Sequence, residues 1–329
     1  MDTNLQHQLF RHLKESLPQH LSLTDELCDL LDLSADSVYR RIRGEKPITL
    51  LELKRICEHY QLSVDRLLQL QNESVIFQAP GLNGAAGGLA DYLKGMLGQF
   101  QYFNSFKVRE LQYLCKDIPF WYFYLFPEMG AFKTFFWTRN IHNDPELSHQ
   151  QFSMKEYSYT DCFTLGQKIL LAYNEIPSVE IWNLESIHST INQIAYYRDA
   201  GIFKSVEDLD AVINSFYRMI DHLELQAEKG QKFVPGASDI SYRSNVQFYI
   251  NELILGNNTI LLHLDNKRLS IITHSVLNYL MTNDDRFAEK SFSTLNSLVT
   301  RSTLVSRTGE KDRNKFFNIL REKVNTLKN

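Results

Sequence analysis

The chain has 329 residues, 43% hydrophobic and 22% charged, with a formal net charge of −4. These proportions suit a globular protein of two or three domains and exclude collagen-like, disordered and disulfide-dense classes. No overall basic field marks it as a nucleic-acid binder, so any such role must come from a local patch. Residues 1–16 are polar and mixed in charge, and no secretory signal is expected. The longest apolar run, 118–126, is nine residues and contains Pro119. A membrane span needs ~20, so no membrane contact is expected. Cys28, Cys57, Cys115 and Cys162 show no CxxC spacing. They read as reduced, buried thiols of a cytoplasmic protein, without disulfide or zinc.

Residues 3–70 read as short helices with tight connections. Leu5, Leu9, Leu13 and Leu17 recur every four residues and predict the first. Thr24 is placed to cap the second, whose apolar positions are Leu27, Cys28, Leu30 and Leu31. Asp32, Leu33 and Ser34 make a turn, Ser34 capping a third helix over 35–43 that Gly44 closes. Pro47 and Thr49 introduce a fourth, with Leu50, Leu53, Ile56, Cys57 and Tyr60 on its inner face. Ser63 caps a fifth that ends near Leu70.

Residues 73–88, with Pro80, Gly81, Gly84, Gly87 and Gly88, read as a linker. Residues 89–114 read as helical in two pieces. Ten aromatics fall within 118–137, a density suited to a core and an interface. Helical periodicity returns over 163–174, 183–199 and 205–228, with Gly201 as a stop. Further on, 246–255, 259–265 and 268–273 are rich in β-formers and separated by turn sequences, which predicts a three-stranded antiparallel meander. A helix over 285–298, a strand over 302–305 and an amphipathic helix over 310–328 complete the chain. The expected fold is mainly α and α+β overall. The expected divisions are a DNA-binding domain at 1–72, a linker at 73–88, a helical region at 89–235 and an α+β region at 236–329.

Short helices with the second and third joined by three residues follow the plan of a helix-turn-helix domain. Over residues 5–70 the chain resembles the Xre, or lambda-repressor-like, family, a five-helix DNA-binding fold. Cys28 matches the small residue of the second helix, and Ser34 the cap. Val38 and Ile42 match the buried positions of the third helix, and Gly44 the closing glycine. Pro47, Ile48 and Thr49 before the fourth helix, and 63–68 at the end, match as well. The sequence departs at Thr24, where the family has Gln, and at Asp32, where it has Gly. Aspartate tolerates the left-handed conformation that such a turn needs.

The resemblance implies that the third helix enters the major groove of double-stranded DNA. Val38 and Ile42 would face inward. Ala35, Asp36, Ser37, Tyr39 and Arg40 would point outward, and Arg40 or Arg41 would make a bidentate guanine contact. Arg43 and Lys46 would meet phosphates, and Thr24 and Ser34 complete the expected DNA-binding set. Residues 1–72 hold nine Lys/Arg against eleven Asp/Glu, yet four of the nine fall in 40–46.

Other features carry less. The Gly81–Gly88 stretch (81–88) lacks GxxxxGK[ST] and GxGxxG. His263 and His274 have no HExxH context. Glu180 and Glu185 flank Trp182 at helical spacing and read as a solvated face. Residues 301–329 hold eight Lys/Arg against three Asp/Glu, and Arg301, Arg307, Lys311, Arg313 and Lys315 read as a solvated basic face. No catalytic constellation assembles, and no enzyme activity, cofactor or metal is expected.

The sequence therefore reads as a bacterial-type transcriptional regulator. A C-terminal dimer would present two DNA modules to a two-fold operator, with an unidentified small-molecule or peptide effector. The alternative is a peptide- or protein-binding regulator whose helical middle docks a partner.

Overall fold

The computed structural model describes residues 3–17, 22–60, 62, 64, 75–79, 88–142, 146–156, 159–237, 244–253, 256–275 and 277–328. The chain divides into two compact units, Met1–Ser74 and Val75–Asn329.

The first unit contains α1 (Thr3–Ser16), α2 (Leu23–Leu31), α3 (Ala35–Ile42) and α4 (Leu50–His59). Its core is Leu9, Phe10 and Leu13 of α1, Leu27 and Leu31 of α2, Val38 of α3 and Ile56 of α4. Leu5, the first of the four-residue series, is exposed, and Phe10 fills the core beside Leu9. The cap of α2 is Ser22, not Thr24: its hydroxyl accepts from the Asp25 amide, and Thr24 lies inside the first turn, buried. Leu50, expected on the inner face of α4, is 85% exposed. It occupies the first helical position, one turn before Leu53, where the small core has ended. The fifth helix expected over 63–70 lies outside the described residues, save Val64, as does most of the 73–88 linker.

The second unit is built on one mixed sheet. Its strands are β1 (Arg109–Cys115), β2 (Ser178–Trp182), β3 (Val246–Ile250), β4 (Thr259–Leu264), β5 (Lys267–Thr273), β6 (Tyr279–Thr282) and β7 (Thr303–Leu304). Their order is β6-β5-β4-β1-β2-β3-β7. β1, β2 and β3 are parallel, with Leu111 opposite Ser178 and Ser178 opposite Val246. β4 runs antiparallel to β1, and β4, β5 and β6 form an antiparallel meander. The helices are α5 (Gly88–Asn104), α6 (Pro127–Asn140), α7 (Thr160–Tyr173), α8 (His188–Asp199), α9 (Val206–Lys229), α10 (Asp285–Val299) and α11 (Glu310–Asn325). The α+β class expected from the sequence is what the chain adopts.

Several expected elements are corrected. The helical reading of 89–114 holds only to Asn104, because 109–115 form β1 in the middle of the sheet. The helix expected from residue 183 starts at His188 and is preceded by β2. The meander omits β3, which pairs with β2 and β7, and recruits β6 instead. A division at residue 235 would cut between β2 and β3 and between β1 and β4, so 89–235 and 236–329 are not separate bodies.

Parallel strands buried on both faces read as near-continuous apolar runs, which is why their period of two is faint in the sequence. One face of the sheet presents Leu111, Tyr113, Cys115, Trp182 and Phe248 to the main core, which holds the aromatic block Trp121, Tyr122, Phe123, Phe132 and Phe135. On the other face Leu114, Ile181 and Leu261 pack against Leu295 and Leu298 of α10. The expectation that the aromatic block is core is met for these rings. Packing there is close: a Cβ on Gly166 of α7 would lie 2.2 Å from Cγ of Tyr124. The expected basic face after residue 300 is also partly interior, since Arg313 is buried and donates to the carbonyls of Val305 (3.0 Å) and Thr308 (3.3 Å).

Glu180, expected on a solvated face, is fully buried on β2. Its carboxylate accepts from Tyr122 Oη (2.7 Å), Tyr173 Oη and Trp182 Nε1 (2.8 Å). Burying a carboxylate is costly unless donors surround it, and three do here. Lys232, also fully buried, donates to the carbonyls of Tyr173 (2.9 Å) and Ile176 at the C-terminal end of α7. Lys133 of α6 donates to Thr190 Oγ1 (2.8 Å) and Gln193 Oε1 (2.7 Å) and sits 4.0 Å from the centre of the Phe123 ring. Burial drags both amines down from 10.5 to about 7, against the opposing pull of Asp117 on Lys133 and of Glu180 on Lys232. Burial, and then the charge of Glu180, hold the Tyr122 and Tyr173 hydroxyls well above their usual range.

A testable pH profile follows. Between the folded and unfolded lysine values the unfolded chain binds more protons, so stability rises with pH from about 7 toward about 10. Above that the unfolded tyrosines ionise while the folded ones stay protonated, and stability falls again. Thermal melting of the second unit is expected at higher temperature at pH 9 than at pH 7. The double variant Lys133→Met and Lys232→Met should flatten that rise; an unchanged slope would show that these amines are not its source.

Candidate nucleic-acid interface

The helix-turn-helix geometry is set locally. Asp32 ends α2 in the left-handed region (φ 55°), and its amide donates back to Cys28 O. Ser34, extended at φ −68° and ψ 152°, caps α3 by accepting from the Ser37 amide. Gly44 turns the chain after α3 at φ +72°, a conformation that glycine adopts without steric cost. Thr49 and Glu52 then form a capping box at the start of α4, with Glu52 N to Thr49 Oγ1 at 3.2 Å and Thr49 N to Glu52 Oε2 at 2.9 Å.

Val38 is buried and Ile42 is packed against the small core, so the inner face of α3 is the one expected. The opposite face is open. Ala35 and Asp36 are exposed, Ser37 is half-buried beside the Ser34 hydroxyl, and Tyr39 is 51% exposed. The Arg40 side chain is 53% exposed. Arg43 and Lys46 are exposed past the end of the helix. Arg40 and Arg43 share Glu45, at 3.8 and 3.0 Å. Exposed pairs of this kind are worth ~0–1 kcal/mol, so Glu45 holds neither arginine firmly.

Two residues of the expected contact set are not available as contacts. Thr24 is turned into the core. Arg41 is 3% exposed, and its guanidinium grips Glu52 with Nε to Oε2 at 3.1 Å and Nη2 to Oε1 at 2.6 Å. Its Nη1 donates to Ser37 O at 3.0 Å. Arg41 lies three residues after Val38 and one before Ile42, on the buried side of the wheel. It therefore fastens α3 to α4, and of the two arginines expected to reach a base only Arg40 is exposed. Burial raises the Glu52 carboxyl, but the bonds from Arg41 and Thr49 together outweigh it and hold the group below its usual 4.5. The contribution of this pair is present above that value and is lost as the pH falls through the lowered one.

The sequence reading also missed Gln6 of α1. Its Nε2 donates to the carbonyls of Arg41 (2.7 Å) and Lys46 (2.8 Å), and its Oε1 accepts from Ile48 N (3.0 Å). One amide thus pins the loop that carries Arg43 and Lys46. No local pattern announces Gln6, whereas the Thr-x-x-Glu spacing at 49–52 is a visible box signature.

Residues 6–89 match the BetR domain, a DNA-binding domain of the helix-turn-helix type. No curated protein and no solved structure matches the chain significantly. Among the described residues, no helix is long and apolar enough to cross a membrane, and no cluster of His, Cys, Asp and Glu is arranged to hold a metal.

The two arginines should separate in experiment. Arg40→Ala is expected to cost about 1–3 kcal/mol of base discrimination with unchanged unfolding. Arg41→Ala is expected to destabilise the first unit by about 3 kcal/mol, the low end for a buried pair because Glu52 keeps some water contact. DNA titration and denaturant unfolding of each variant check this; a stable Arg41→Ala with altered site preference would return Arg41 to the reading face.

Proposed function

We propose that the protein is a sequence-specific transcriptional regulator of the Xre, lambda-repressor-like type, without enzymatic activity or cofactor. In this reading it binds duplex DNA as a homodimer in the cytoplasm, and the second unit serves dimerisation and effector sensing. The observation that carries the reading is the exposed Arg40 and Tyr39 on the outer face of a helix capped at Ser34 and locked through Arg41. In this reading a helix locked in rotation, with one exposed guanidinium on its outer face, supplies base readout. Arg43 and Lys46 on the pinned loop supply phosphate contacts, which set register but not sequence. The BetR match supports a DNA-binding regulatory domain independently of this geometry.

The net negative balance of residues 1–72 makes a single copy a weak binder, and two copies on one site compensate for that. A two-fold dimer requires half-sites about one helical turn apart, ~10–10.5 base pairs, or a multiple of that. An effector acts in this scheme by its difference in affinity for two states of the second unit, whatever its identity.

Selection of bound sites from random duplex DNA with the full chain is expected to enrich a two-fold symmetric motif. Removing Lys46 or Arg43 should weaken all sites alike and reduce the salt slope by about 1 each. Failure to enrich any motif, with the protein folded, would overturn sequence-specific regulation. It would leave the peptide- or protein-docking reading to be tested by capture with residues 75–329.

A further inference from the structure

The outer edge of the sheet is not β6 itself. Residues 75–79, which follow directly on the first unit, lie along it. Gln78 exchanges two backbone bonds with Met281, at 2.7 and 2.8 Å, and the carbonyl of Ile76 accepts from Thr282 Oγ1 at 2.8 Å. Strand alternation then turns the amides and carbonyls of Val75, Phe77 and Ala79 away from the sheet. Among the described residues, none of these three has a backbone hydrogen-bond partner. Exposed edges are ordinarily blunted by charge, proline or a bulge. The run Val75, Ile76, Phe77, Gln78, Ala79 contains neither charge nor proline, and Ile76 is 49% exposed.

We propose that this edge pairs antiparallel with the same edge of a second copy of the chain, about a two-fold axis passing at Phe77. An edge of this kind is self-complementary under a two-fold. Centring on Phe77 sets it opposite Phe77 of the second copy, and sets Val75 opposite Ala79, so the outward amides and carbonyls of all three residues are matched. A shift by one residue would offer groups already used by Met281 and Thr282. The Phe77 ring lies edge-to-face on Phe287 of α10, 5.2 Å between centroids. Pairing brings two such aromatic pairs side by side and covers Ile76. A strand without charge gives a foreign peptide no side-chain signal to read, whereas it fits its own copy without alteration. The assignment rests on the reading of the protein as a homodimer and names the surface that makes it.

Sedimentation equilibrium of the full chain across a range of concentrations tests it. Ala79→Pro removes an outward donor and leaves the Gln78–Met281 bonds in place; Ile76→Lys places a charge on the covered position. Each is expected to raise the dimer dissociation constant about tenfold or more, with the circular dichroism spectrum unchanged. Paired Cα atoms at such a position lie ~5.5 Å apart, within disulfide reach. Phe77→Cys is therefore expected to give an oxidised, reducible covalent dimer that the wild-type chain, with its own four cysteines, does not. That cross-link supports the register even where the proline variant fails to fold. A wild-type dimer that resists Ala79→Pro and Ile76→Lys and does not cross-link through residue 77 overturns the edge assignment and leaves the homodimer reading standing. A wild-type chain that is monomeric at every concentration overturns both. A monomer whose edge amides are protected from exchange by an extended peptide overturns the assignment in favour of a foreign strand.

Discussion

The ion pair between Arg41 and Glu52 is the constraint on which the helix-turn-helix geometry depends. A guanidinium at the surface of α3 would be one more flexible cation. Sealed between α3 and α4, it instead fixes the rotation of α3 about its own axis. Glu52 does two jobs with its two oxygens, since the oxygen that takes Arg41 Nε also takes the Thr49 amide. The capping of α4 and the orientation of α3 are therefore one interaction, and Gln6 adds the intervening loop to it. Among the described residues this core has seven buried apolar side chains, and a polar clasp supplies the direction that apolar contact cannot.

The second unit solves a related problem in its interior. Its interior strand β2 carries a carboxylate into the main core, where two phenols and an indole surround it. A buried lysine closes the C-terminal end of α7 one layer away, where the helix dipole favours a donor. Such groups are expensive to bury, and each depends on partners from at least one other element. They narrow the arrangements of helix and sheet in which these charged groups keep their partners. The dense aromatic packing around Tyr124 and Gly166 leaves equally little room for an alternative.

How much of this could be read beforehand divides along the range of the interactions. The first unit was legible because its signals are local: Ser34 before a helix, Gly44 after it, and Val38 and Ile42 on one face. Arg41 was misplaced because its chemistry is that of Arg40; only its position on the wheel and a partner eleven residues away distinguish them. Thr24 was misplaced because Ser22 competes for the same capping role two residues earlier. In the second unit, helices α7, α9, α10 and α11 kept their period. The strands β1 and β2 did not, since Leu111 and Leu114 sit three apart, as on a helix, while both faces of the strand are in fact covered. Glu180 looked solvated because nothing near it in the chain reveals that Tyr122 and Tyr173 converge on it. The meander was found with the wrong members, because strand propensity does not say which neighbour a strand will choose.

The register of the sheet has a bearing on how the protein is made. Leu111 lies between Ser178 and Leu262, so the middle of the sheet cannot close until residues far down the chain have left the ribosome. The described elements of the first unit are all helices and close on one another within Met1–Ser74, and small helical domains fold in microseconds to milliseconds. At ~5–20 residues per second, synthesis of the remainder takes on the order of tens of seconds. For that interval the nascent chain carries a finished helix-turn-helix ahead of an unmade sheet, and the two units are separated in time as they are in sequence.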